Sequence, residues 1–146
     1  MPTAAKLVAA MALALAAFGV SGVLLYRYEY FATHGLNVMA FAAVGAFVGW
    51  WRLGPQAEKG YRSGWSGGVA AALTSYLFIV TLGTGAYAWQ GMGRNHYRDL
   101  EDLMNSVFTK FLEYAMFLFD WPVFTITVFS GLLAGTFAAM AGRVWR

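Results

Sequence analysis

PVFTITVFSGLLAGTFAAMAG, residues 122–142, contains no ionisable side chain. As a helix it is long enough to cross the hydrocarbon of a bilayer. Basic residues close it at Arg143 and Arg146, and Asp120-Trp121-Pro122 opens it. Asp is a favoured N-cap, and Pro is tolerated in the first helical turn, where its missing N–H breaks no bond. Asp120 is therefore expected to cap this span. The competing reading is a membrane-embedded carboxylate that handles protons or cations.

Three more apolar runs precede this one. They cover about residues 5–26, 36–51 and 65–89, and the last span covers about 122–142. Aromatic residues gather at their ends: Tyr26, Trp50 and Trp51, Tyr61 and Trp65, Trp89, Trp121 and Trp145. Tyr and Trp favour the headgroup level because an apolar ring carries a polar edge. The first run begins after Lys6 and resembles a signal peptide, but it stays apolar to Tyr26, so it is expected to be a retained span. Composition agrees with four spans. Of 146 residues, 60% are hydrophobic and 12% charged, and the mean hydropathy is +0.55. A water-soluble domain carries about twice that share of charge. The fold class expected is an all-α integral membrane bundle, residues 1–146 in one unit, with four transmembrane helices and one amphipathic helix before the last span.

The amphipathic helix is expected over about 99–119. Leu100, Leu103, Met104, Val107, Phe108, Phe111, Tyr114, Ala115 and Leu118 recur at three- and four-residue steps. Asp99, Asp102, Asn105, Ser106, Thr109 and Glu113 lie largely opposite. Lys110 and Glu113 have the spacing of a surface ion pair. The segment is read as lying in the outer interface or packing over the bundle. A fifth span would place Lys110 and Glu113 in hydrocarbon, at a cost of roughly 2.5–3.5 kcal/mol for a central charge. A single helix continuous with the last span and kinked near Pro122 is the third arrangement.

With four spans, Lys6, Arg52, Lys59, Arg62, Arg143 and Arg146 share one side, and Arg27, Arg94, Arg98 and Lys110 the other. That bias places both termini in the cytoplasm of a bacterial inner membrane. Arg52, Lys59 and Arg62 sit in a basic turn expected to meet anionic lipid. The net charge of +3 thus reads as topology and headgroup contact, with no nucleic acid partner. The absence of cysteine excludes disulfides, thiolate metal sites, thiol catalysis, iron–sulfur clusters and covalently attached haem. His34 and His96 are the only histidines. Both fall outside the spans, making them weak candidates for a cofactor or metal. No Walker loop, dinucleotide fingerprint, nucleophile elbow or zinc-protease motif occurs. No catalytic residue, cofactor or metal is expected, and the chain is read as a non-enzyme.

Small residues form rows suited to close helix approach in lipid: Gly45 and Gly49 in the second span, and Gly131, Gly135 and Ala139 in the fourth. Ala5, Ala9 and Ala12 make a similar stripe in the first. Such rows pack either within the chain or against another protein; the fourth-span row is expected to seat a neighbouring helix. Gly83-Thr84-Gly85 and Gly91-Met92-Gly93 are expected to loosen the end of the third span.

The opening Met1-Pro-Thr-Ala-Ala-Lys-Leu7 resembles the start of the TrgA family of small bacterial membrane proteins, associated with tellurite resistance. Val48-Gly49-Trp50, Lys59-Gly60-Tyr61 with Gly64 and Gly67, Asp120-Trp121-Pro122-Val123 and Gly131-Leu-Leu-Ala-Gly135 agree in order. The resemblance spans the chain and implies no catalytic residues. Two functions follow as expectations. One is an accessory subunit that packs against a larger membrane complex, photosynthetic or respiratory, or against its own copies. The other is a TrgA-like resistance protein that handles or exports an oxyanion. Spans without converging ionisable groups favour the first.

Overall fold

The computed structural model describes residues 4–27, 38–94 and 98–144. Helix α1 covers Ala4–Arg27, α2 covers Val38–Ala57, and α3 covers Tyr61–Gly93. Helix α4 covers Leu100–Met116. A 3-10 turn, Phe117–Phe119, joins it to α5, Trp121–Val144. Four of these, α1, α2, α3 and α5, are long and apolar enough to span a membrane. The chain is a multi-pass, all-α membrane protein, and α4 is the amphipathic helix before the last span.

Helix α1 lies between α2 and α5, α5 packs on α3, and α2 closes on α3. Two apolar clusters fill the bundle. One gathers Ala9, Leu13, Val48, Leu53, Ala71 and Ala134 at the basic end. The other gathers Leu24, Phe41, Tyr76, Ile79, Tyr114 and Val123 at the opposite end.

Helix α2 is longer than its apolar run suggests. It does not stop at Trp51 but continues through Arg52 and Pro55 to Ala57, so the basic turn shrinks to Glu58–Gly60. A π-helical segment, Gly49–Leu53, makes this possible. Gly45, Gly49 and Gly54 all press on α1. A Cβ at Gly45 would lie 2.6 Å from the Leu13 carbonyl oxygen, and one at Gly49 2.8 Å from Ala10 Cα. At Gly54 it would lie 3.0 Å from Lys6 Cα. From Gly45 to Gly54 is about two and a half α-helical turns, which would carry Gly54 to the far face. The wider i→i+5 turn absorbs one residue and keeps all three glycines on α1.

Helix α3 likewise exceeds the expected 65–89. It begins at Tyr61, after Gly60 turns at φ 121, a conformation open to glycine. It then runs unbroken through Gly83-Thr84-Gly85 to Gly93. Helical structure continues past Gly83 and Gly85, and Thr84 Oγ1 donates back to the Val80 carbonyl at 2.8 Å.

Candidate functional site: a hairpin beyond the bundle and a basic end

The fourth-span glycine row is consumed inside the chain. A Cβ on Gly131 would lie 2.8 Å from the Gly68 carbonyl oxygen and 2.9 Å from Ala72 Cβ. One on Gly64 would lie 2.9 Å from the Gly135 carbonyl oxygen and 3.0 Å from Ala139 Cβ. Gly64 and Gly68 of α3 therefore face Gly131, Gly135 and Ala139 of α5, backbone on backbone. The expectation that this row seats a helix of another protein is corrected. Its complement was present in the sequence as a second four-residue glycine step, Gly64 to Gly68. Ala5 and Ala9 are buried too, facing Gly142 and Gly49.

Within the described spans Asp, Glu, Lys, Arg and His keep to the terminal turns, apart from Arg52, which lies about one and a half turns from the end of α2. The buried hydroxyls of Ser21, Ser75, Thr84 and Thr127 each donate one turn back, to Phe18, Ala71, Val80 and Val123 at 2.6–2.9 Å. Such bonds satisfy the hydroxyl proton locally. A cavity of about 20 Å³ beside Ser75, Tyr76, Thr127 and Ser130 has room for one water.

The other end of α3 carries a different arrangement. At 33 residues, α3 is about 50 Å long, against about 36 Å for the 24 residues of α5. The two run antiparallel, α3 beginning near where α5 ends, at the basic end, where the Arg143 guanidinium sits 4.3 Å from the Tyr61 ring centroid. The last turns of α3 therefore project beyond the start of α5. Helix α4 folds back along this projection. Tyr76 Oη donates to the Tyr114 carbonyl at 2.9 Å, and Lys110 Nζ lies 5.6 Å from the Tyr87 ring centroid. Lys110 also pairs with Glu113 at 2.6 Å. The pair α3–α4 is an antiparallel helical hairpin. Helix α4 is neither a fifth span nor continuous with α5.

Three faces of α4 follow. Leu103, Val107, Phe111 and Tyr114 turn toward the protein. Glu101, Asp102, Asn105 and Thr109 face solvent. Between them Leu100, Met104, Phe108, Leu112 and Met116, each four residues after the last, stand 44–74% exposed. Residues four apart form a continuous ridge on a helix. Sequence periodicity merges this ridge with the packed face and misses Leu112 and Met116; their strict four-residue spacing from Phe108 was the available signal. Exposed Trp89 and Met92 of α3 lie in the projecting part of the same hairpin.

Asp120 sits at the mouth of α5. Its backbone is extended, φ −68 and ψ 124, and its carbonyl accepts the Phe124 N–H at 2.9 Å. That places the residue at the helix boundary, outside the spanning length. Arg52, Lys59 and Arg62 are exposed at the basic end. Lys6 packs its stem on Gly54. His34 and His96 lie outside the described residues. Among the described residues no group of three His, Cys, Asp or Glu is placed to hold a metal.

No family model, curated protein or solved structure matches this chain.

Proposed function

We propose that the protein is a non-catalytic accessory subunit of a larger complex in a bacterial inner membrane, and that α4 is its docking element. The observation that carries this reading is the exposed ridge Leu100–Met104–Phe108–Leu112–Met116 on a hairpin that outreaches the bundle. Exposed apolar ridges mark contacts with protein or membrane, and the flanking acids favour protein here. Acidic Glu101 and Asp102 flank it, so the complementary surface is an apolar groove rimmed by Lys or Arg. Those acids disfavour both an anionic lipid surface and a second copy of the same helix. Spans whose charged residues keep to the basic end and do not converge in the interior support a structural role over transport.

The Lys and Arg bias supports cytoplasmic termini. Cysteines introduced at Ser63 and Asp99 should react with impermeant reagents from opposite sides of the membrane.

The test is mild-detergent extraction, a native gel and mass spectrometry of co-migrating chains. Met104→Asp with Phe108→Asp should insert normally and leave the complex. Unchanged co-migration would reject α4 as the docking element.

The TrgA-like reading, oxyanion handling, is favoured by one observation: Lys6, Arg52, Lys59, Arg62 and Arg143 converge at one end with Glu58 the acid among them. Under this reading, deletion of the gene lowers tellurite tolerance and Lys59→Gln fails to restore it. Unchanged tolerance after deletion would remove it.

A further inference from the structure

At the basic end the Ala57–Gly60 turn and the last turn of α5 enclose an open pocket of about 250 Å³, lined by Ala57, Glu58, Lys59, Gly60, Gly142 and Arg143. We propose that this pocket holds the phosphodiester of an anionic phospholipid, with Lys59 and Arg143 as its cationic ligands. This inference is independent of what α4 docks to.

Three features carry it. First, the cations come from two elements far apart in sequence and meet across a concave surface, whereas Arg52 and Arg62 lie outside the lining. Second, Arg143 is held in place: its guanidinium stacks 4.3 Å from the Tyr61 ring centroid. A stacked guanidinium keeps its planar edge for two oxygens of one phosphate, which an ammonium cannot match. Third, the pocket lies at the ends of two candidate spans, α2 and α5, where headgroups meet a membrane helix. Exposed Trp65 is one turn further along α3 on the side of Tyr61, where an aromatic ring favours the glycerol region. Glu58 lines one wall, so the phosphate sits on the Lys59–Arg143 side. A free phosphate has the same oxygen chemistry, and the experiment separates the two sources.

Purified full-length protein is titrated with phosphatidylglycerol and, separately, with phosphatidylcholine, and bound lipid is counted by native mass spectrometry. Phosphatidylglycerol should be retained at one site and phosphatidylcholine released. Lys59→Gln and Arg143→Gln should each weaken retention more than tenfold. Arg52→Gln should weaken it by no more than the factor of about five that any juxtamembrane cation supplies. Arg143→Lys keeps the charge where Arg143→Gln disturbs folding, and should still lose retention because the fork is gone. Equal losses in the Arg52 and Arg143 variants, or equal retention of both lipids, would overturn the site. Displacement of phosphatidylglycerol by millimolar inorganic phosphate would assign the pocket to a free anion and overturn the lipid.

Discussion

From Gly64 to Ala72, α3 meets α5 through glycine and alanine, with a carbonyl of one helix against the α-carbon of the other. From Tyr76 to Tyr87 it meets α4 through rings, one hydroxyl bond and a cation above an aromatic face. The first contact has nothing that can yield. The second is made of side chains with rotamers to spare. In lipid, apolar side chains gain little by clustering, so close backbone approach supplies the attraction in the bundle. Along α4, burial of Tyr114 in the apolar cluster opposite the basic end, with Phe111 packed against it, holds the helix through side chains. One helix thus carries two packing chemistries, backbone contact along one half and side-chain contact along the other.

The contrast breaks most severely at Gly68. Gly68→Leu drives a side chain into the Gly131 carbonyl, and the helices must part. We expect a loss of more than about 3 kcal/mol, beyond the usual overpacking range, read as a collapse of the thermal transition in detergent. Loss of partner binding with an intact fold would contradict the intramolecular role of this row. Smaller is Tyr76→Phe. Tyr76 Oη donates to the Tyr114 carbonyl in the last turn of α4. Losing that bond should cost about 1–3 kcal/mol, seen as faster hydrogen exchange across 100–116 with α5 unchanged. Equal acceleration in both helices would mean that hairpin and bundle unfold as one unit. Smallest is Lys110→Gln. It removes a partly exposed pair three residues apart, worth about 0.2–0.5 kcal/mol, and the melting temperature should barely move.

The sequence carried the spans because uninterrupted apolar length has few other readings. It carried the Lys110–Glu113 pair because three-residue spacing is local geometry. It did not reveal which side of each span faces protein. Gly131 and Phe137 lie on one apolar helix, yet Gly131 is buried against Gly68 while Phe137 is exposed. In a soluble helix a polar face would have marked the difference; in a membrane both faces are apolar and the pattern goes silent. The same ambiguity hid the α4 ridge, since Phe108 and Phe111 look alike in a periodicity plot but lie on different faces. The extension of α2 past Arg52 was hidden for another reason. Pro55 suggests a helix end, yet Pro is accepted in the first turn of a new α-helical segment, here just after the π-turn.

That π-turn makes α2 tolerant of one kind of change at one place. Removing a residue from an ordinary helix turns everything beyond it by about 100°, which would swing the glycines off α1. Removing one residue between Gly49 and Gly54 instead converts the wide turn into a normal one, and Gly54 still lands on Lys6. The segment is a joint at which chain length can change without changing which face is buried, while the same deletion at Val44 would unseat the helix.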